Sequence, residues 1–240
     1  MTDEKSISAA EKYESNRDHF RSEALKKFLS YHEKSNQFIA AMNEVVASHM
    51  LYASNKDWSH IEHGEYISKL IVSFTRSHFV ITDHVMYGEL IEAAVLLRKQ
   101  FELMSRLVEI DSGVDIDRLL KKTPNVKHLE SDLKKLYSEY SEITHSSDIQ
   151  KLDLLGYLVK DKATYTAVYP VFQENSFVSA LHLFLLFSQY HYWIVDKLEQ
   201  WFPEYDRAGD CAMYAKCHEA YEEIYYKSPV FTSIGSASTS

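Results

Sequence analysis

The sequence predicts an all-α protein, a bundle of about seven helices with a short irregular or hairpin-like insert near residues 148–173. Three observations carry this reading. The 240 residues include 6 Gly and 4 Pro, where ordinary usage of the two together is about 12%. A β-sandwich or barrel needs turn residues roughly every 8–12 positions, and a phosphate-cradling loop needs glycines. Apolar residues recur with a period near 3.6 along nearly the whole chain. Hydrophobic content of 45% with 25% charge is that of a folded chain with a full core. The net charge of −9 disfavours a general affinity for nucleic acid or for an anionic membrane.

Taken in order, residues 4–33 read as a polar amphipathic helix through Tyr13, Phe20, Leu25, Phe28 and Leu29. A second helix over 35–54 carries Phe38, Ile39, Met42, Val45, Val46 and Met50. The polar cluster Asn55–Ser59 breaks the pattern, with Asp57 or Ser59 as N-cap of a third helix over about 60–86. Gly88 marks the turn into a fourth, 89–111, which Asp-Ser-Gly-Val-Asp ends. A short turn at 115–122 follows, and Asn125, next to Pro124, caps a helix over 126–145. Helices over 174–202 and 207–227 stop at Pro203 and Pro229.

Between them, GYLVKDKATYTAVYPVF clusters β-branched and aromatic residues around a charged turn. That suits a small hairpin or an irregular lid, and a helical extension with an aromatic-rich loop is the other reading. No repeat and no linker divides the chain, so 1–230 is expected to form one domain. The small polar tail 231–240 is expected to be disordered.

Cys211 and Cys217 lie on different faces of one helix and cannot close a local disulfide. The acidic N-terminus has no apolar core of a signal peptide. A reduced, cytoplasmic protein is therefore expected. Residues 175–195 contain no Asp, Glu, Lys or Arg, a length that could span a bilayer. Ser179, His182, Ser188, Gln189 and His191 argue instead for a buried central helix, with no membrane partner.

On the fourth helix Leu90, Ala94, Leu97, Phe101, Met104 and Val108 form the core stripe, and Glu92, Lys99 and Arg106 fall on the solvent side. Arg98 and Glu102 sit on the shoulder, beside Ile91 and Val95. They make either a boundary ion pair or, if a second interface covers that shoulder, the wall of a pocket. On the helix over 126–145 the stripe is Leu129, Leu133, Leu136, Tyr137, Tyr140 and Ile143. Ser141 and His145 share one shoulder, and His145 also stands at the helix end, where an imidazolium interacts well with the helix dipole.

Gly88–Glu102 (GELIEAAVLLRKQFE) followed by Tyr137–His145 (YSEYSEITH) resembles a bacterial family of helical proteins catalogued only as a domain of unknown function. The likeness covers roughly residues 65–202. It brings no activity with it. What it implies is that Arg98, Glu102 and His145 belong together, with Tyr137 or Ser141.

Complete catalytic motifs are missing from the sequence. A di-iron bundle needs two Glu-x-x-His motifs, and Glu142–His145 supplies one, with Asp57-x-x-His60 its nearest echo. His60-x-x-His63 could hold a metal on one face, but there is no His-Glu-x-x-His, and no metal or other cofactor is expected. A helical ribonuclease of the HEPN kind would show Arg followed by His after four to six residues. No arginine here does so, Arg76 before His84 coming nearest. There is no Gly-x-Ser-x-Gly elbow. Cys217 and His218 point about 100° apart, and Ser141 with His145 is a spacing that arises often by chance.

With 17 Tyr and 12 Phe, residues such as Tyr165, Tyr169, Phe172, Tyr190, Tyr192 and Trp193 form either core packing, an aromatic wall for a planar ligand, or a protein interface. The expectation is a cytoplasmic binding or interaction protein in a bacterial regulatory or defence setting. Its partner would be another protein or a second copy of the chain, with a small-molecule ligand as the other class. The alternative is a hydrolase or nuclease-like enzyme, with Arg98 as anion clamp, His145 as general acid and base, and Glu102 beside them. Tyr137, Ser141 and Tyr169 are the candidate ligand contacts.

Overall fold

The structure, a computed structural model, describes residues 8–146, 149–160 and 162–227. The expected start of the first helix at residue 4, the Pro229 stop and the tail 231–240 lie outside the described residues.

Helix α1 (Ala9–Tyr31) opens on a reciprocal cap, in which Ser8 Oγ accepts from the Glu11 amide at 3.2 Å and Glu11 Oε2 accepts from the Ser8 amide at 2.8 Å. These bonds satisfy two of the amides that a helix start leaves without partners. Helix α2 (Ser35–Ser54) buries Phe38, Ile39, Met42, Val45 and Val46 as its period predicts, and adds His49 to the same face. Helix α3 (Gly64–Met86) starts four residues later than the sequence implies. Neither Asp57 nor Ser59 caps it. Asp57 Oδ1 accepts from the Ser59 amide at 2.9 Å in a local turn, and the helix is entered through His63 at φ 59°.

Helix α4 (Leu90–Asp111) follows the Gly88 turn. Gly88 has φ +76°, and a Cβ there would stand 2.5 Å from the Val171 carbonyl oxygen, so only glycine fits. Leu90, Ala94, Leu97, Phe101 and Met104 are buried as expected. Arg106 is a correction. It was expected in solvent and is 4% exposed. The chain after α4, including the short α5 (Ile116–Leu119), folds over that face. Arg106 donates to the carbonyls of Leu119 and Lys122 and pairs with Glu109 at 3.4 Å, while Glu109 accepts from the Asn125 amide at 2.9 Å. A charge buried this deeply persists because it is paired and fully donated.

The helix expected over 126–145 is split. Asn125 accepts from the Lys127 amide at 3.1 Å and caps only a 3-10 turn, Val126–His128, before α6 (Ser131–His145) begins. In the insert, a 3-10 stretch (Ile149–Leu155) leads through Gly156 into an antiparallel hairpin. Its strands are β1 (Tyr157–Lys160) and β2 (Ala163–Thr166), with Tyr157 opposite Thr166. The hairpin reading, not the helical one, holds.

Helix α7 (Glu174–Trp201) is the centre of the bundle, in contact with α2, α3, α4, α6 and α8 (Arg207–Lys227). Phe177, Phe184, Phe187 and Ile194 are at most 1% exposed, and Tyr190 stacks on Phe74 at 4.0 Å. Each such side chain removed from water contributes about 1.5–3 kcal/mol, so the apolar run is explained by packing. Among the described residues no helix is long and apolar enough to cross a membrane. Both cysteines are free thiols, and burial pushes the Cys217 thiol up to about 12.

Candidate functional sites

The seam between α4 and α6 brings together most of the residues that the sequence singled out. Arg98 Nη1 donates to Thr144 Oγ1 at 3.1 Å and lies 3.4 Å from His145 Nε2. Its Nε is 3.6 Å from Glu102 Oε1, and Tyr137 OH donates to the same carboxylate oxygen at 3.3 Å. Arg98 and Glu102 are about one-quarter exposed, and His145 is exposed. Ser141 offers its backbone carbonyl to Thr144 rather than its hydroxyl to the cluster. Thr144 was not foreseen. The cluster ties the last turn of α6 to the middle of α4, and the cavities described here are lined by other residues.

Tyr169 stands elsewhere. It stacks on Phe20 at 5.1 Å, and its hydroxyl accepts from Asn16 at 3.1 Å, strapping the loop after β2 to α1. It contributes to the packing of α1 and not to the Arg98 cluster.

A second polar group lies inside the bundle. His49 and His191 are both 0% exposed, and their rings stack at 5.2 Å. Tyr214 covers the other side of His191 at 4.2 Å. Asp210 accepts from Ser48 at 2.8 Å and from Tyr205 OH, and one of its oxygens is 3.5 Å from His49 Nε2. No ring nitrogen of either histidine has a hydrogen-bond partner. Burial holds both imidazoles neutral, each at about 3. Stacked imidazoles cannot both aim a nitrogen lone pair at one ion, and among the described residues no group of three or more His, Cys, Asp or Glu is arranged to hold a metal.

A cavity of about 260 Å³ opens between α6, the 3-10 stretch and the first half of α7. Leu90, Ile143, Leu154 and Val178 supply its apolar wall, and Tyr140, Ser179 and His182 its inner polar groups. Tyr140 OH is 3.0 Å from His182 Nδ1. Burial keeps the phenol protonated well above its usual range and pushes His182 down to about 4. The sequence placed Tyr140 on the core stripe, and Ser179 and His182 registered only as polar breaks in an apolar helix.

The fourth feature is the hairpin itself. Val159 is 77% exposed and Tyr165 56%, with Tyr157 and Leu158 also open to solvent, and Val168 in the loop after β2 is exposed too. The pairing puts Tyr157 and Val159 on one face and Leu158 and Tyr165 on the other, so both faces carry apolar side chains. Among the described residues each strand has one neighbour, which leaves one edge of each unpaired.

Comparison of this chain with protein-family models, with curated proteins and with solved structures finds no match.

Proposed function

We propose that the protein is an interaction module that docks through its hairpin, with a second copy of the chain as the partner. The exposed apolar hairpin carries this reading. Four-residue strands with large apolar side chains on both faces and unpaired edges are marginal alone and prone to association. A twofold axis through a strand edge would pair each edge with itself and cover the same patch twice, which is how self-complementary dimers close. The bundle presents the hairpin on a fixed base: a Cβ at Gly156 would collide with the Val171 side chain, so the strand entry sits hard against the loop that returns to α7.

Light scattering over a dilution series tests this. A dimer is expected for the natural sequence and a monomer for Val159→Glu, with unchanged helical circular dichroism. A natural chain that is monomeric throughout would sink the proposal.

A second reading keeps Arg98, Glu102 and His145 as an anion-handling enzyme site. The 3.4 Å approach of Arg98 to an exposed His145 supports it. The cytoplasmic setting is supported by the two unpaired cysteines, and the bacterial regulatory or defence setting by the resemblance described above.

A further inference from the structure

The cavity between α6 and α7 is independent of the hairpin edges and points to a ligand of its own. Its hydrogen-bond chain has a direction. A phenol is the stronger donor and a neutral imidazole nitrogen the stronger acceptor, so the Tyr140 proton goes to His182 Nδ1. A neutral His182 then carries its proton on Nε2. Among the described residues that N–H has no acceptor, and it belongs to the wall of the cavity. A donor that opens into a cavity beside an apolar wall favours a ligand acceptor, which takes the place of water on the N–H while the rest of the ligand covers the apolar wall.

The rim has the opposite character. Lys151 is drawn to Glu142 at 3.9 Å, and Asp153 accepts from Tyr157 OH. Glu139, exposed at the mouth, has no ion-pair partner among the described residues. The same cavity is lined by Ile143, Leu154 and Val178. A ligand carboxylate would be desolvated near Glu139, whereas a neutral carbonyl reaches the His182 donor at lower cost.

We infer that this cavity binds a small aliphatic amine that carries a neutral carbonyl: the carbonyl accepts from His182 Nε2, the ammonium faces Glu139, and a short apolar body fills the space between. The site takes one molecule smaller than a typical drug-sized ligand, since such pockets run from about 300 Å³ upward.

The test is a titration of isotope-labelled protein with L-leucinamide at neutral pH, followed at the His182 ring nitrogen and the backbone amides. A saturable shift is expected, weakened about threefold in Glu139→Gln and lost in His182→Phe. Isoamylamine, which lacks the carbonyl, and L-leucine, which carries a carboxylate, are each expected to bind about tenfold more weakly than leucinamide. No saturable shift in the natural protein overturns the inference, as does binding equal in Glu139→Gln or equal for isoamylamine. Glu139 is exposed, so that variant decides the matter even if His182→Phe does not fold. Loss of dimerisation in Val159→Glu leaves this titration unaffected, which separates the two proposals.

Discussion

Around α7 the bundle keeps His49 and His191 wholly out of water, with their ring nitrogens unbonded, while the hairpin holds Val159 and Tyr165 mostly in water. The two regions depart from the usual sorting of polar and apolar groups in opposite directions. In the interior the departure is tolerated because dense aromatic packing surrounds it: Tyr190, Tyr214 and Phe187 all lie against those imidazoles. In the insert nothing compensates within the described chain. The interior holds the fold despite unfavourable groups, and the hairpin displays favourable groups that the fold does not use.

The strongest way to break this comparison is to mutate both regions alike. Phe74→Ala removes the partner of Tyr190 and is expected to cost about 3–5 kcal/mol in urea unfolding. Val159→Glu is expected to stay within about 0.5 kcal/mol, measured on the monomer. Equal costs would mean that the hairpin belongs to the core.

A smaller effect sharpens the interior side. His49, His78 and His191 each stand at about 3 in the folded protein because of burial, against about 6.5 unfolded. As pH falls below about 6.5, the unfolded chain takes up protons that the folded chain does not. Stability therefore rises with pH between about 3 and 6.5, and is lost on acidification across that window. Each imidazole adds a slope of up to about 1.4 kcal/mol per pH unit. His78→Gln, which keeps a side-chain amide near its partner Asn43, is expected to flatten the slope of unfolding free energy against pH by that amount between pH 4 and 6.

The smallest effect concerns the α4–α6 seam. Arg98→Ala is expected to cost about 1 kcal/mol, with thermal unfolding as the readout. If hydrolytic activity is found and that variant abolishes it at this small cost, the seam is a site rather than a clamp.

Much of the fold was legible. Helical period and scarce glycine gave the bundle, Gly88 gave the α3–α4 turn, and clustered β-branched residues gave the place of the hairpin. The meeting of Arg98, Glu102 and His145 was expected only through the family resemblance; helical period placed each on a shoulder without saying that the two shoulders meet. Other features depend on which segments cover which face. Arg106 looked solvated until the chain around α5 folded over it. The period of a helix reports a half-turn of apolar surface and is silent about what a later loop covers. Tyr140 and His182 meet across 42 residues, a distance at which no local pattern operates. His49 could not be told from a surface histidine, because its burial follows from neighbours on α7 and α8.

The strap between Asn16 and Tyr169 closes a separation of 153 residues. Phe28 of α1 likewise packs on Phe172 and Phe177. During synthesis the first helix therefore leaves the ribosome long before the residues that cover its aromatic face exist. With translation at about 5–20 residues per second, that face waits on the order of ten seconds for its cover. Most of α1 is polar and exposed, so on that helix only the narrow aromatic stripe stands open while the intervening residues are made.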